Sequence, residues 1–388
     1  MTTRIKDLGS IITGNTPKTS ESANYGSDDI CFVKPSDFAD GDVTYIKSSE
    51  FYISEFARKK SRILPPESVL VTCIGTIGKV AINQVECAFN QQINAIIPNR
   101  QRCITTYLAY AIQAKQVTMQ EMANAPVVPI LNKTQFSDIE INVPPIIQQQ
   151  HIAAVLDKIS YLISLRKQQL DKLDELVKAR FVEMFGEPET NTKGWPISNM
   201  GNLCSVGSSK RIYKSEQSTV GIPFWRVSDL TNLINTGVAT ENLYIPEKRY
   251  AELQAQGQVP VKGDILITSR GTLGQCYIVK ATDRFYFQDG MISWLSEYAD
   301  SITPLYISHL FSMPGFQKQI DSMQAGSTVA YLSIAMIKKL KVMIPDAETQ
   351  QQFATFVEQI DQCRLTIQRG LDKLEMLKKA LMQEYFGR

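Results

Sequence analysis

Histidine is nearly missing from this chain. Only His151 and His309 occur in 388 residues. Each falls on an expected helix with no companion motif, so both are read as structural. The sequence has no GxSxG, no HExxH and no dinucleotide-type GxGxxG. That removes the nucleophile elbow, the helical zinc protease site and the Rossmann fingerprint. Seven cysteines (31, 73, 87, 103, 204, 276, 363) form no CxxC pair. Their odd number and scatter point to reduced thiols and away from a disulfide frame or zinc site. No apolar run approaches the roughly 18–20 residues that span a bilayer. The start, MTTRIKDLGSII, has no apolar signal region, so the expected location is cytoplasmic, without a membrane partner. Excess charge is lacking too: the formal net charge is +2. Residues 1–143 carry 14 basic and 14 acidic side chains, and residues 189–344 carry 15 and 12. Any nucleic-acid surface must come from local placement of charge.

Two short motifs invite chemistry and do not carry it. GTIG (75–78) and GTLG (271–274) contain the glycines of a phosphate loop. A phosphate loop must open a helix, so that its amides and dipole meet the anion. Here each motif leads into another apolar, β-branched run, which makes it a hairpin turn. PDAE (345–348) pairs two carboxylates in the manner of a metal-dependent nuclease. It lies at an expected helix start, where acidic residues belong for electrostatic reasons. The chain therefore reads as a binding protein with no catalytic residues and no metal site.

What the chain does have is a copy of itself. Residues 148–185, QQQHIAAVLDKISYLISLRKQQLDKLDELVKARFVEMF, recur 201 residues later, where Thr349 precedes QQQFATFVEQIDQCRLTIQRGLDKLEMLKKALMQEYF (350–386). Between LDKLDELVKARFVEMFG (170–186) and LDKLEMLKKALMQEYFG (371–387), ten of seventeen positions are identical. So long a period excludes a solenoid and means two similar halves. ICFVKPSDF (30–38) answers IPFWRVSDL (222–230). VTCIGTIGKVAI (71–82) answers ITSRGTLGQCYI (267–278), and FNQQINAI (89–96) answers FQDGMISW (287–294). TYLAYAIQ answers LYISHLFS, and the match from Val128 to Pro144 runs from Val329 to Pro345. Framework positions agree while polar positions differ, as expected of one scaffold doing the same job on different targets.

Within each half, strands and helices alternate. SVLVTCI (68–74), KVAIN (79–83) and NQQINAIIP (90–98) read as strands. TTYLAYAIQAKQ (105–116) reads as a helix capped by Thr105. NKTQFSDI (132–139) is a short helix leading to strand EINVP, and Pro144–Pro145 closes the segment.

The two copied runs read as long helices. Leu156, Ile163, Leu170, Val177 and Met184 recur every seven residues, beside a column of Ile159, Arg166, Leu173 and Arg180. The second run has Val357, Arg364, Leu371, Lys378 and Tyr385 beside Ile360, Ile367, Leu374 and Leu381. Arginines in one column meet apolar residues in the other. Seven-residue spacing is a coiled-coil seam, and the two-fold character of the repeat makes the pairing antiparallel. The alternative is that each helix packs only on its own domain.

Basic, aromatic and amide side chains cluster in the expected loops at matching places of both halves. The first half offers Lys18, Tyr25, Lys34, Arg58, Lys59, Lys60, Arg62, Lys79, Asn90, Gln91 and Gln92. The second offers Lys210, Arg211, Tyr213, Lys214, Arg226, Lys248, Arg249, Arg270, Gln288 and Asp289. Lys and Arg neutralise phosphates, and Arg, Asn and Gln pair bidentately with base edges. Taken singly, each is better read as a solvated surface residue; the matched clustering makes them candidate DNA contacts.

PPIIQQQHIAAVLDKI (144–159), FVEMFGEPETNTKGW (181–195) and the paired GTIG/GTLG turns together resemble the DNA-specificity subunit of type I restriction–modification systems. The likeness runs the full length of the chain. The family usually has Pro-Pro-Leu-x-Glu-Gln before each helix; here Gln148 and Thr349 replace that Glu, and Gln149 and Gln350 keep the Gln. In the second copy Asp346 and Ala347 replace the second Pro and the Leu.

The resemblance implies an α+β fold in four parts. These are a target-recognition domain (1–147), a spacer helix (148–187), a second recognition domain (188–346) and a second spacer helix (347–388). It implies that the helices form an antiparallel coiled coil between the two domains, and that each domain reads one half of a split double-stranded DNA site. It further implies two modification subunits, which use S-adenosylmethionine to methylate adenine, and restriction subunits, which cut using ATP and Mg. The chain itself would bind no cofactor and catalyse nothing. A helix of this length is roughly 57 Å against roughly 34–36 Å for a DNA turn, which suits a fixed spacer between unlike half-sites. Other readings are a coiled-coil adaptor that binds proteins and an autonomous dimeric DNA-binding regulator, although no helix-turn-helix is present.

Overall fold

The computed structural model describes residues 2–123, 128–240, 242–324 and 330–387. Met1, Arg388 and Val329, which begin or end stretches named above, lie outside the described residues. The chain divides into two compact units, residues 1–168 with 367–388, and residues 169–366.

The first unit contains strands β1 (Thr2–Arg4), β2 (Gly9–Thr13), β3 (Ile30–Val33), β4 (Thr44–Ile46), β5 (Tyr52–Ile53), β6 (Ile63–Leu64), β7 (Val69–Thr72), β8 (Val80–Asn83), β9 (Cys87–Phe89), β10 (Ile93–Pro98) and β11 (Glu140–Asn142). They form a main sheet in the order β2-β10-β7-β8-β4, a small sheet in the order β5-β3-β9-β6, and the pair β1-β11. Successive residues of a strand face opposite sides. Val69 and Val71 face Tyr107, Leu108 and Ile112, while Leu70 faces Cys31, Val33 and Phe89 of the small sheet. Burial on both faces is why SVLVTCI is an unbroken apolar run instead of an alternating one.

Helices α1 (Thr105–Gln113), α2 (Gln116–Met122) and α3 (Lys133–Asp138) complete this unit's domain. Thr105 is not the cap expected of it. It is the first helical residue, and its hydroxyl donates to the carbonyl of Glu67. The helix start is held instead by Gln149, whose Oε1 accepts from the N–H of Ile104 at 3.0 Å. The expected twelve-residue helix is also shorter. It stops at Gln113, and Gln116 opens α2. At α3, Asn132 accepts from the N–H of Gln135 and Gln135 reaches back to Asn132, a reciprocal cap. Helix α4 (Ile146–Phe185) follows Pro145 directly and runs 40 residues.

The second unit repeats the plan with β12 (Ile197–Asn199), β13 (Ser205–Gly207), β14 (Ile222–Trp225), β15 (Tyr244–Ile245), β16 (Ile265–Thr268), β17 (Cys276–Ile278), β18 (Tyr286–Phe287), β19 (Ile292–Ser296) and β20 (Lys341–Met343). Its sheets are β13-β19-β16-β17, β15-β14-β18 and β12-β20. The correspondence extends to strand direction. β3 runs parallel to β9 and antiparallel to β5, and β14 does the same with β18 and β15. The helices are α5 (Val227–Thr236), α6 (Glu247–Ala255), α7 (Pro304–Phe311), α8 (Pro314–Ser322) and α9 (Ile334–Lys339). The copies differ where ICFVKPSDF answers IPFWRVSDL: a single 3-10 turn, Pro35–Asp37, stands where the second unit has the ten-residue α5. Among the described residues only the first unit has the edge strands β4, parallel to β8, and β6, antiparallel to β9.

Helix α10 (Ala347–Phe386) closes the chain. In the first unit the opening turns of α4 lie beside the closing turns of α10. Ile152, Ala153 and Leu156 share a core with Phe386, Leu381 and Met382, and Lys167 pairs with Glu375 at 3.3 Å. In the second unit Val177 and Phe181 of α4 share a core with Phe353, Val357 and Ile360 of α10, and Arg364 pairs with Asp174 at 2.6 Å. Both sets of contacts run antiparallel. Leu156, Ile163, Val177 and Ile360 of the seam are buried, and Leu170, Ile367, Leu374 and Leu381 are half-buried. The helices thus pack on each other and on their domains at once. Arg180 lies near the Phe356 ring of the other helix and pairs with Glu183 of its own helix at 2.8 Å, whereas Arg364 meets a carboxylate, Asp174, on the other helix.

Candidate nucleic-acid interface

Most of the candidate residues gather around the small sheet of each unit, because the loops that carry them all leave its strands. In the first unit, Lys18 and Tyr25 lie between β2 and β3, Lys34 follows β3, Arg58, Lys59 and Lys60 lie in the 3-10 turn Glu55–Lys60 after β5, and Arg62 precedes β6. Gln91 and Gln92 form the turn between β9 and β10. Side-chain bonds knit these loops together. Asn15 donates to the carbonyl of Lys60 at 2.7 Å and accepts from the N–H of Arg62 at 2.9 Å. Arg62 also donates to the carbonyl of Thr13. Lys60 pairs with Glu21 at 2.7 Å, holding the Glu21 carboxyl below its ordinary range. Arg58 bridges Glu86 and Glu55, which raise its already high pKa. Lys34 lies over the Phe51 ring at 3.1 Å. The Tyr25 hydroxyl donates to the carbonyl of Pro17.

The second unit assembles the equivalent loops. Lys210, Arg211, Tyr213 and Lys214 follow β13, Arg226 follows β14, Lys248 and Arg249 lie on α6, and Gln288 and Asp289 form the turn between β18 and β19. Arg211 pairs with Asp289 at 3.1 Å, Arg249 with Glu216 at 3.0 Å, and Arg226 with Asp229 at 3.2 Å. Lys210 donates to Gln256 at 2.6 Å. Tyr213 is 63% exposed. Among the described residues, Lys18, Lys59, Lys214, Lys248 and Arg270 carry no ion pair with a carboxylate.

Three candidates stand apart. Lys79 is tucked against the first unit's sheet, pairing with Asp40 at 2.6 Å and donating to the carbonyl of Phe38. Asn90 is buried and bonded to Gln92. Arg270 rides the GTLG turn, 5.5 Å from the Tyr331 ring centre. Sequence reasoning passed over Phe56, which is 56% exposed and has the Lys60 ammonium 3.9 Å from its ring centre. The interleaving of aromatic and base in FARKK was its only signal. It also passed over Thr16, whose hydroxyl donates to Gln91; no local pattern marks that residue.

The GTIG and GTLG turns are hairpin turns. Gly75, Gly78, Gly271 and Gly274 all have positive φ. At Gly78 a Cβ would meet Gln116 at 2.8 Å, and at Gly274 it would meet Ile320 at 2.9 Å. The second glycine therefore lets the turn seat against α2 or α8. His309 is half-buried beside Phe353, and its partial burial, with Arg364 nearby, pushes its pKa down to about 4. His151 is exposed. All seven cysteines are unpaired, and burial pushes Cys31 and Cys73 up to about 11. Among the described residues no cluster of His, Cys, Asp or Glu has a metal-binding arrangement, and no helix is long and apolar enough to cross a membrane.

The fold and this rim define a class: a duplicated α+β protein in which each unit takes in part of two long helices. Comparison with known proteins gives the same class. The model of the type I restriction modification DNA specificity domain matches residues 1–175 and 192–376. The MjaIX type I restriction enzyme specificity subunit of Methanocaldococcus jannaschii is 26% identical over 98% of this chain and 90% of its own length. The EcoR124I/EcoR124II specificity subunit of Escherichia coli is 27% identical over 47% of this chain and 48% of its own. In fold, the chain is similar to the S subunit of a type I restriction-modification system from M. genitalium, with a TM-score of 0.57, 14% identity, and coverage of 100% of this chain and 96% of that one. A chain from a structure of type I R-M complex assembly and conformational transition has a TM-score of 0.58 at 15% identity, covering 99% and 97%. This chain belongs to the type I restriction-modification DNA specificity family.

Proposed function

We propose that the chain is the non-catalytic, DNA-reading subunit of a cytoplasmic type I restriction–modification complex. It reads a bipartite, asymmetric duplex site, one half-site per recognition domain, and its paired helices set the spacer. It docks two modification subunits, which hold S-adenosylmethionine, and restriction subunits, which use ATP and Mg. The exposed helix faces within LDKLDELVK and LDKLEMLKK are the surfaces offered to the modification subunits.

The observation that carries this reading is the duplicated rim. Two units share strand order, strand direction and turn glycines, yet present different polar side chains from the same loops. A shared frame with unlike contact residues is what two readers of two half-sites require. The near-neutral charge agrees with a subunit whose affinity for phosphate is supplemented by its partners. The specificity subunits to which the chain is similar bring the same role to mind by name.

Footprinting of the chain assembled with its modification subunits tests the proposal. Two protected patches separated by unread base pairs are expected. One continuous patch, or none, would sink it.

A further inference from the structure

The most informative pair of residues in the two rims is a pair of positions. In the first unit, Gly14 donates its N–H to the carbonyl of Ile93, and Asn15 donates to that of Phe89. In the second, the Ser208 hydroxyl donates to the carbonyl of Ile292, and the Ser209 hydroxyl to that of Phe287. Both sets fix the loop after the first main-sheet strand against the turn FNQQ or FQDG. At Gly14 an added Cβ would meet the Asn90 carbonyl oxygen at 2.1 Å, so the approach is close. A residue a little further along each loop, one past Asn15 in the first unit and two past Ser209 in the second, then bonds to the matching residue of the turn. Thr16 Oγ1 donates to Gln91 Oε1 at 2.6 Å, and Arg211 Nε donates to Asp289 Oδ2 at 3.1 Å. Thr16, Gln91 and Arg211 are all exposed.

A loop-to-turn bond therefore recurs at the same turn position with different chemistry, and in each case it leaves a defined set of hydrogen-bonding groups. Gln91 keeps both N–H donors of its amide and one lone pair on Oε1, a donor beside an acceptor. That matches the N7 acceptor and N6 donor of adenine in the major groove. Arg211 uses only Nε and keeps its terminal N–H donors. That matches the O6 and N7 acceptors of guanine, which take donors alone. The bond to Thr16 or Asp289 also fixes each reading group before DNA arrives, which reduces the entropy lost on contact.

Resting on the DNA-reading function proposed above, we infer that Gln91, positioned by Thr16, and Arg211, positioned by Asp289, are the base-reading residues of this loop-to-turn bond, selecting an A·T pair in one half-site and a G·C pair in the other. Asn90, the neighbouring amide, is turned inward to Gln92 and takes no part.

The test is selection of bound sequences from a randomised duplex library by the full chain assembled with its modification subunits. Arg211→Lys keeps the charge and loses the fork. It should reduce preference for G·C at one base pair of one half-site by about 5- to 150-fold, the range for a bidentate contact, leaving the other half-site intact. Gln91→Glu should do the same at one A·T pair of the opposite half-site. The double exchange Thr16→Arg with Gln91→Asp should convert that pair to G·C. The two single substitutions are at exposed positions, so the test stands if the exchange does not fold. Equal weakening on every sequence would assign these residues to phosphate and overturn the inference. Unchanged selected sequences, or shifts in both half-sites from one substitution, would also overturn it. A wild-type complex that selects no sequence would instead remove the DNA-reading function itself.

Discussion

Single residues in equivalent places show how far the two copies have drifted. Gln149 and Gln350 have not drifted. Each is buried at the start of a long helix and satisfies backbone groups on both sides of a chain crossing. Gln149 donates to the carbonyls of Arg102 and Pro144, and Gln350 donates to those of Ser301 and Pro345. Each Oε1 accepts the N–H just before a short helix, from Ile104 or Thr303. The Glu-to-Gln148 and Glu-to-Thr349 departures leave this latch untouched, and in the second copy Asp346 caps the helix by accepting from the N–H of Thr349 at 2.7 Å. Tyr107 and Tyr306, by contrast, look alike in sequence and differ in circumstance. The Tyr107 hydroxyl donates to the carbonyl of Asn142 at 2.8 Å, whereas the buried Tyr306 hydroxyl has no partner among the described residues. Removing a satisfied hydroxyl costs about 1 kcal/mol, and removing an unsatisfied one costs little or is favourable. Tyr107→Phe should therefore lower the unfolding temperature, while Tyr306→Phe should hold or raise it. Equal losses in thermal unfolding would contradict this account.

Among elements, the paired helices combine two tasks. Their ends complete the domain cores, as Phe386 packs on Tyr107 at 5.5 Å and Phe185 on Tyr306 at 4.8 Å. Their central stretches hold each other through Lys167–Glu375 and Arg364–Asp174. Those exposed pairs contribute little to stability, so the seam rests on its buried column. If the helices measure the spacer, a matched heptad inserted after Gln168 and after Thr366 adds about 10.5 Å. That corresponds to about three base pairs. Mapping methylated adenines should show the spacer lengthened by about that much and both half-sites unchanged. An unchanged spacer, or altered half-site sequences, would refute the ruler.

At the scale of the whole molecule, the first unit is discontinuous in the chain, while the second, residues 169–366, is a single stretch. The first needs residues 2–168 and 367–387. Its β1 pairs with β11 as β12 pairs with β20 in the second. The position held in the second unit by the linker after α4, where Gly186 stops the helix at φ 81 and Trp195 Nε1 donates to the carbonyl of Phe185, corresponds to the junction of the chain ends. A permutant opened at Pro188, with its old ends joined by a copy of residues 186–196, should fold and bind its modification subunits in co-purification. A soluble permutant that binds none would count against the circular plan.

The sequence determined what depends on nearby residues or on repetition. The strands could be read from β-branched runs such as SVLVTCI, the hairpin turns from glycines that readily adopt positive φ, the paired helices from a seven-residue period and their antiparallel direction from the two-fold repeat. The duplication was legible because framework residues repeat while loop residues differ. Only the tertiary structure decided what depends on residues far apart in the chain. It put Gln149 in place of Thr105 at the start of α1, turned Asn90 inward and Gln91 outward, and set Thr16 against Gln91 and Arg211 against Asp289. Those bonds span 75 and 78 residues. Their geometry is fixed by strand pairing across the sheet, and no local pattern can encode it.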